Sequence, residues 1–256
     1  SGCLISAWSR VRLPPGRLKI SKDEKMAYNR HAPNQSKIIS KLNPIDYLEI
    51  GVDTGYTFNQ INAKNKKHGV DPYGACPCIT HRMPSMVFFA LNKREYKNKY
   101  DVIFIDGCHI SDIIVAEIEE SLKILKPGGS IVLHDTEPPN EGAQNVLPED
   151  YEHFYESMIK NNNHFHEQII DTPITGYNGD SWKAVAYVRS NHPELTTFTV
   201  ESSVCSVILD KKRDDFEQNE APESGLDIDD LTYTDLEKNY NCFLNPVTFD
   251  FFRDNL

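Results

Sequence analysis

Residues 47–57 read YLEIGVDTGYT, an apolar stretch that runs into a turn with two glycines. The apolar part predicts a buried strand, and Gly51 and Gly55 predict a tight turn at its end. Glu49 lies inside the apolar part, although a buried carboxylate is costly unless it has a partner. A glycine turn of this kind commonly holds a phosphate at a helix N-terminus, and Glu49 would repel a phosphate. The stretch therefore predicts a ligand other than a simple anion.

Strands and helices alternate over residues 34–136. The predicted strands are YLEIGV, KHGV, YDVIFI and SIVLHD. The predicted helices are QSKIISKL with Asn34 as N-cap, TFNQINAK, SMVFFALNKREY, and SDIIVAEIEESLKIL with Ser111 as N-cap and KPGG as its end. Because the strands are solid apolar runs that alternate with helices, we expect an α/β domain whose mostly parallel sheet is covered on both faces.

After residue 136 the alternation is less regular. PEDYEHFYESMIKN and SWKAVAYVRS predict helices, and TTFTVES with SVCSVILD predicts a late antiparallel hairpin. Small helices that dock through aromatic side chains are expected near the C-terminus. The predicted organisation is an N-terminal extension (1–33), the α/β domain (34–210), an acidic mobile linker (211–230) and a helical tail (231–256).

The composition limits the class of function. The net charge is −11, and residues 210–237 carry eleven acidic and three basic side chains, so no basic surface for nucleic acid is expected. No apolar run reaches the ~20 residues needed to span a bilayer. The six cysteines follow no disulfide framework, which predicts reduced thiols in a cytoplasmic protein without membrane association.

Three segments occur in a fixed order along the chain: EIGVDTGYT, then FIDGCH, then LKPGGSIVLHDT, with Asp71 twenty residues after Gly51. Together they resemble class I S-adenosylmethionine-dependent methyltransferases, and within that group the small-molecule O-methyltransferases whose fourth strand ends in IDG-x-H. The resemblance is strongest over residues 34–136 and weaker to about residue 210. It implies a Rossmann-like, doubly wound sheet of seven strands, mostly parallel with a late antiparallel hairpin, here with a short C-terminal helical extension.

The resemblance implies S-adenosylmethionine as the cofactor and a role for several residues. It places Glu49 near the cationic amino group of the methionine part, Asp71 at the ribose hydroxyls and Ser85 near the adenine edge. Asp53 stands where the family pattern has its middle glycine, and it either narrows the pocket, contacts the cofactor or faces water. The full predicted set is Glu49, Gly51, Asp53, Gly55, Thr57, Asp71, Ser85, Asp106 and Gly107.

Catalysis is expected at the ends of the third and fourth predicted strands. His109 lies three residues after Asp106, the offset at which the related enzymes carry the general base, and imidazole is suited to that work near neutral pH. Asp106 and Asp135 would meet at neighbouring strand ends, where their oxygens could hold a divalent cation such as Mg²⁺. The alternative is that His109 has a structural role and that the two aspartates cap the turns that follow.

The residue after Asp135 departs from the metal-dependent relatives. Those proteins usually have Asp or Asn there, whereas this chain has Thr136, which is a poorer ligand. His134, Glu137 and Asn140 are the candidates that could replace it.

The predicted function is O-methylation of a small hydroxylated metabolite or sugar, the partner being this small-molecule acceptor. A homodimer is left open. One alternative is a Rossmann-type NAD-dependent oxidoreductase, whose sequence fingerprint also has a glycine turn followed ~20 residues later by an acidic residue. That fingerprint has three glycines, and the third is missing here because Tyr56 follows Gly55. The other alternative is a non-catalytic cofactor-binding module. The acceptor pocket is expected in the loops at 73–84, 137–150 and 171–182.

Overall fold

A computed structural model describes residues 34–92, 97–144, 178–216 and 218–256. The predicted N-terminal extension and the predicted helix PEDYEHFYESMIKN lie outside the described residues. Among the described helices, none combines the length and the apolar character that crossing a membrane requires.

The described elements follow the predicted order. The strands are β1 (Asp46–Ile50), β2 (Lys66–Val70), β3 (Tyr100–Ile105), β4 (Leu125–Leu133), β5 (Thr196–Val200), β6 (Cys205–Leu209) and β7 (Pro246–Val247). The helices are α1 (Gln35–Lys41), α2 (Tyr56–Gln60), α3 (Ser85–Asn92), α4 (Ser111–Ile124), α5 (Trp182–Asn191), α6 (Tyr233–Leu244) and α7 (Phe249–Asn255), with a 3₁₀ turn at Glu141–Gln144.

The strands form one seven-stranded sheet in the order β2-β1-β3-β4-β6-β5-β7. The pairs β1–β2, β1–β3, β3–β4 and β5–β7 are parallel, whereas β6 is antiparallel to both β4 and β5. The predicted mostly parallel α/β sheet with a late antiparallel hairpin is therefore confirmed. The seventh strand comes from the C-terminal segment, where the sequence predicted helices alone.

Both faces of the sheet are covered by helices, as the solid apolar strands predict. Helices α3, α4, α5 and α6 pack on one face around residues such as Ile103 and Trp182. Helices α1, α2 and α7 pack on the other face around Phe104, Phe198 and Phe252. This covering leaves the carboxyl edge of the parallel strands as the place for a ligand.

The N-cap predictions have different outcomes. Asn34 caps α1, and its Oδ1 accepts a hydrogen bond from the Lys37 backbone N–H at 3.2 Å. Ser111 is the first helical residue of α4 rather than its N-cap, a position held by Ile110. The carboxylate of Asp180 accepts from the Ser111 N–H at 2.7 Å and from its hydroxyl at 2.9 Å. A distant side chain thus supplies the cap that the sequence assigned to Ser111.

Cys76 and Cys78 form a disulfide with a Cα–Cα distance of 5.1 Å. The prediction of reduced thiols is therefore wrong for this pair, because residues two apart in a tight loop can still bring their sulfur atoms together. Cys108 and Cys205 are free.

The acidic stretch 211–230 has no helix or strand among its described residues, but it contacts α5. The Arg189 Nη2 donates to the Asn219 carbonyl at 2.9 Å, and the Leu226 N–H donates to the Ser190 hydroxyl at 3.0 Å. The stretch is thus held against the domain, and its role as a linker stays a prediction.

Arg189 connects four parts of the fold. Arg189 is 4 % exposed, and its guanidinium also donates to the carbonyl oxygens of Thr197 at 3.0 Å and Cys242 at 2.8 Å. Burial lowers its pKa to about 10. One buried side chain therefore satisfies carbonyls of β5, α6 and the acidic stretch from its place on α5.

We expect Arg189→Met to lower the free energy of unfolding by about 2–4 kcal/mol, because several buried carbonyls lose their donor. Urea denaturation followed by circular dichroism measures the change. Arg253→Met is the matched control, since Arg253 pairs with Asp250 and Asp254 on the surface, and no measurable change is expected there. Equal midpoints for both variants would contradict the proposed role of Arg189.

Candidate active site

The turns that follow β1 and β3 touch at Gly51. This glycine has φ of 82°, and a Cβ on it would lie 2.0 Å from the carbonyl oxygen of Asp106. The Asp106 N–H donates to the Ile50 carbonyl at 2.8 Å. Only glycine permits this approach, so the glycine of the first turn fixes the start of the IDG-x-H segment.

The second glycine of the turn packs against the disulfide. Gly55 has φ of 81°, and a Cβ there would lie 2.5 Å from the Cys76 sulfur. Asp53 is exposed and has φ of 44°, a left-handed conformation that aspartate tolerates better than most residues. This explains why Asp53 can occupy a position where glycine is common. Thr57 is buried, and its hydroxyl accepts from the Gln35 side chain at 3.1 Å.

Asp71 organises the loop at the end of β2. Its Oδ2 accepts from the N–H groups of Val52 at 2.9 Å and Asp53 at 2.8 Å. Its Oδ1 accepts from those of Tyr73 at 2.8 Å and Gly74 at 2.6 Å. A carboxylate offers about four lone-pair positions, and backbone groups occupy all four here. Asp71 therefore holds the turn in place through these backbone contacts.

Glu49 is 1 % exposed and lies beneath the glycine turn. The Tyr47 hydroxyl donates to its Oε2 at 2.5 Å. Burial raises the pKa of Glu49 to about 8, although the Tyr47 hydrogen bond opposes the shift and the charge of Asp106 adds to it. Such a carboxyl group is close to neutral at pH 7 and would gain from a cation placed next to it.

Ser85 and Gly107 lie near a buried carboxylate that the sequence analysis did not select. Glu117 of α4 is 2 % exposed, and a Cβ on Gly107 would lie 3.7 Å from its Oε1. Burial raises the pKa of Glu117 to about 7, while a hydrogen bond from Ser85 opposes this. The sequence did contain a signal for this buried carboxylate, because Glu117 occupies a position in the apolar stripe of α4.

Two histidines and two aspartates converge at the ends of β3 and β4. Asp106, His109, His134 and Asp135 each bring a ligand atom within 4.8 Å of the others. His109 Nε2 lies 3.2 Å from Asp106 Oδ1, and its Nδ1 lies 3.5 Å from Asp135 Oδ2. His134 Nδ1 lies 3.0 Å from Asp106 Oδ1 and 3.1 Å from Asp135 Oδ2. The predicted approach of the two aspartates is therefore present, with both imidazoles between them.

The pKa values follow from this juxtaposition. Burial alone would raise the pKa of Asp106, but the charge of His134 and hydrogen bonds from both histidines hold it well below its usual value. Burial alone would lower the pKa of His134, yet Asp106 and Asp135 raise it well above the usual range. The pKa of His109 is raised in the same way, by its hydrogen bond to Asp106 and by Asp135. The two carboxylates thus favour positive charge between them.

Three of the residues near Asp135 point elsewhere. Thr136 is fully buried, and its hydroxyl bonds to the Ser206 hydroxyl at 2.7 Å. Glu137 accepts from the Ser202 N–H at 3.3 Å and from the Tyr240 hydroxyl. Asn140 accepts from the Ala143 N–H at 3.0 Å. Of the candidates considered as substitutes for Thr136, only His134 lies in the cluster.

Residues 178–180 hold the cluster from the other side, whereas the sequence predicted only an acceptor-pocket loop there. The Asn178 side chain donates to Asp135 Oδ1 at 3.1 Å, and the Asp180 N–H donates to the His109 carbonyl at 3.1 Å. Gly179 has φ of 56°, and a Cβ there would lie 1.8 Å from that same carbonyl oxygen. Local periodicity could not reveal these contacts, because the partners lie far apart in the chain.

Part of this site is similar to a known protein family. Residues 80–136 match a family model described as a methyltransferase domain. These residues include the whole Asp–His cluster. A search of curated proteins found no match.

Several solved structures are similar to the chain at low identity. An O-methyltransferase from Bacillus cereus in complex with S-adenosylhomocysteine is 15% identical over 77% of this chain and 84% of that one, with a TM-score of 0.38. The O-methyltransferase TomG from Streptomyces achromogenes, in complex with S-adenosylmethionine, is 12% identical over 75% and 81%, with a TM-score of 0.41. The mycinamycin-pathway methyltransferase MycE, in complex with Mg and S-adenosylhomocysteine, is 16% identical over 75% and 50%, with a TM-score of 0.39.

The domain match and the observed strand order agree with the resemblance found in the sequence. The resemblance to methyltransferases is therefore confirmed over residues 80–136, the segment that the family model matches.

Proposed function

We propose that the chain is an S-adenosylmethionine-dependent O-methyltransferase that acts on a small hydroxylated metabolite or sugar. The observation that carries the proposal is the position of His109. This buried imidazole lies 3.2 Å from Asp106 at the end of β3, beside the glycine turn that follows β1. The neighbouring turn and the imidazole provide a cofactor site and a base at one edge of the sheet.

The glycine turn is the proposed site of the methionine part of the cofactor. Glu49 lies below that turn, buried and with its pKa raised to about 8, so a cationic amino group would stabilise its ionised form. A phosphate or a pyrophosphate would oppose that ionisation and gain nothing from the carboxyl group, which favours S-adenosylmethionine over NAD.

The nucleoside part is proposed to lie towards β2 and α3. Asp71 would receive the ribose hydroxyls, which would have to replace the N–H groups of Tyr73 and Gly74 that now bond to its Oδ1. Ser85 and Gly107 would border the adenine. Asp53 and Thr57 contribute through the backbone of the turn and the start of α2, respectively.

The chemistry needs a positioned acceptor and a base. The acceptor oxygen attacks the methyl carbon in line with the carbon–sulfur bond, that bond breaks, and neutral S-adenosylhomocysteine is released. The hydroxyl proton passes to His109, whose imidazolium is then stabilised by Asp106. A divalent cation such as Mg²⁺, held by Asp106 and Asp135, would lower the pKa of the hydroxyl. The carboxylate oxygens of Asp106 and Asp135 fit this role because they lie close together. The side chain of Asn178 also holds Asp135 in place by a hydrogen bond.

His109→Ala is expected to lower kcat between about a hundredfold and ten-thousandfold, since the base is removed. Affinity for S-adenosylhomocysteine should change little, because the cofactor lies on the β1 side. The measurements are formation of S-adenosylhomocysteine with a panel of hydroxylated acceptors and calorimetric titration. His192→Ala is the control, as His192 pairs with Glu119 and Glu194 away from the site. An unchanged rate of methyl transfer in His109→Ala would show that His109 is not the general base.

Glu49→Gln is expected to weaken S-adenosylhomocysteine binding about tenfold, or 1.4 kcal/mol, because the amino group loses a carboxylate. Calorimetric titrations with S-adenosylhomocysteine in buffers of different ionisation enthalpy should also show that the wild type releases protons on binding near pH 7. The carboxyl group of Glu49 is still largely protonated there and would ionise when the ligand binds. The variant should release fewer protons. Equal affinity and equal proton release would refute the assignment.

The same residue predicts a pH dependence without ligand. The folded pKa of Glu49, about 8, exceeds the unfolded value, so the folded state binds more protons between these two values. The contribution of Glu49 to stability therefore falls as pH rises from about 4.5 to 8, by at most about 1.4 kcal/mol per pH unit. Urea denaturation across that range measures the difference in free energy of unfolding between the wild type and Glu49→Gln. This difference should not change with pH if Glu49 ionises with an ordinary pKa.

Gly179→Ala is expected to cost about 2–4 kcal/mol of stability and to lower kcat, because a Cβ would displace the His109 backbone. Gly225→Ala is the matched control. Gly225 also has a positive φ, of 78°, but a Cβ there has nothing within 4 Å, so it bears only the conformational cost of about 1 kcal/mol. Thermal unfolding and initial rates compare the two. Similar losses in both variants would show that the contact with His109 is unimportant.

The two alternatives are separated by ligand binding. Calorimetry with S-adenosylhomocysteine against NAD decides the cofactor, and tight binding of NAD alone would replace the proposal by the oxidoreductase. Binding of S-adenosylhomocysteine without methylation of any acceptor in a broad panel would favour the non-catalytic module.

A further inference from the structure

The Cys76–Cys78 disulfide lies where the loop after β2 packs on the glycine turn that follows β1. A Cβ on Gly55 would lie 2.5 Å from the Cys76 sulfur and 2.9 Å from the Cys78 sulfur. The Cys76 N–H also donates to the Asp53 carbonyl at 3.0 Å. Both sulfur atoms therefore lie directly against the turn that is proposed to hold the methionine part of the cofactor.

The same loop begins with the carboxylate that is proposed to receive the ribose. Asp71 Oδ2 accepts from the N–H groups of Val52 and Asp53 in the glycine turn. Asp71 Oδ1 accepts from the N–H groups of Tyr73 and Gly74, which precede the first cysteine of the pair. The disulfide thus belongs to a segment that contacts both proposed halves of the cofactor site, and a change in its bond would affect both.

The position of the two cysteines in the chain makes the bond a weak stabiliser of the whole fold. A disulfide stabilises a protein largely by restricting the unfolded chain, and this restriction grows with the length of the loop that is closed. The two cysteines have a sequence separation of 2, so the closed loop is very short. The main consequence of this bond is therefore local, at the glycine turn.

The two sulfur atoms differ in their access to solvent, which sets the direction of an exchange reaction. Cys76 is 4 % exposed, whereas Cys78 is partly exposed and follows the exposed Pro77. The Cys78 N–H donates to Cys76 Sγ at 3.1 Å. An incoming thiolate would therefore reach the Cys78 sulfur, and this hydrogen bond would stabilise the negative charge on the departing Cys76 sulfur.

We propose that Cys76–Cys78 is a thiol–disulfide exchange site for a dithiol reductant, and that the oxidised form binds the cofactor more tightly. A thiolate of the dithiol attacks the Cys78 sulfur, the bond to Cys76 breaks, and a mixed disulfide forms. The Cys76 thiolate takes a proton. The second thiolate of the reductant attacks its own sulfur in the mixed disulfide and releases Cys78, which is also protonated. The chain gains two electrons and two protons, and the dithiol becomes a disulfide.

Reduction changes the space that the two sulfur atoms need. Bonded sulfur atoms lie about 2.0 Å apart, whereas non-bonded heavy atoms lie roughly 3.5–4.0 Å apart. The added distance is needed next to Gly55, whose backbone already has φ of 81° and lies against both sulfur atoms. We therefore expect the reduced loop to move away from the glycine turn and to weaken the contacts of Asp71 with that turn. The exchange site stands on these contacts, and its coupling to the cofactor rests on the proposed function.

Calorimetry of the full-length protein with S-adenosylhomocysteine tests the coupling. We expect at least tenfold weaker binding after reduction by dithiothreitol, and recovery after reoxidation by a small disulfide. Because coupling is reciprocal, saturating S-adenosylhomocysteine should lower the reduction potential of the pair by at least about 30 mV, which is the same tenfold change converted for two electrons. Alkylation of free thiols followed by mass spectrometry measures the redox state of Cys76 and Cys78.

Cys76→Ser/Cys78→Ser is the matched control, because it retains four of the six cysteines but cannot form this bond. It should bind S-adenosylhomocysteine as the reduced wild type does, with the same affinity with and without dithiothreitol. A response to dithiothreitol in this variant would show that another cysteine is responsible and would overturn the assignment. Circular dichroism checks folding, and the comparison of oxidised with reduced wild type decides the proposal if the variant does not fold.

Failure of this inference can be told apart from failure of the proposed function. A disulfide that dithiothreitol does not reduce in the folded protein overturns the exchange site. Equal affinity of the two redox forms for S-adenosylhomocysteine overturns the coupling and leaves the methyltransferase proposal intact. Absence of binding to either form rejects the proposed cofactor and the coupling with it, while alkylation still tests the exchange site by itself.

Discussion

The negative charges of Asp106 and Asp135 determine what the carboxyl edge of the sheet can do. Both side chains are largely buried next to His109 and His134, where an uncompensated carboxylate is strongly destabilising. Positive charge is therefore required between them, and it can be a proton on an imidazole or a cation. This requirement links the protonation of the histidines to whatever ligand the edge binds, because the same oxygens serve both.

Backbone contacts hold this charged cluster in place. Gly51 abuts the Asp106 carbonyl from the β1 turn, and Gly179 abuts the His109 carbonyl from the segment before α5. Asp135 itself has φ of 54°, a left-handed conformation that costs free energy in a non-glycine residue. Three chain segments that are distant in sequence therefore fix the cluster, which allows little displacement of His109 without disturbing the others.

The sequence predicted those parts of the fold that local patterns encode. The apolar runs of β1, β3 and β4 and the amphipathic stripe of α4 were sufficient for the parallel sheet, and the late hairpin followed from two adjacent apolar runs. The two-residue strand β7 could not be predicted, because it exists only through its pairing with β5. For the same reason Asp180 could not be recognised as the cap of α4, and Ser111 was chosen instead. The strand ends identified Asp106 and His109, whereas the choice of His134 required knowing where Thr136 points.

The acids of the proposed cofactor site are satisfied internally in this structure. Backbone N–H groups fill the lone pairs of Asp71, and Tyr47 bonds to a nearly neutral Glu49. A diol would fit by exchanging hydrogen bonds at Asp71, and a cationic group would fit by stabilising the ionised form of Glu49. A diol alone meets the first condition and a simple amine meets the second. A nucleoside with a cationic amino-acid tail meets both conditions, which is why these two carboxylates support the proposed cofactor.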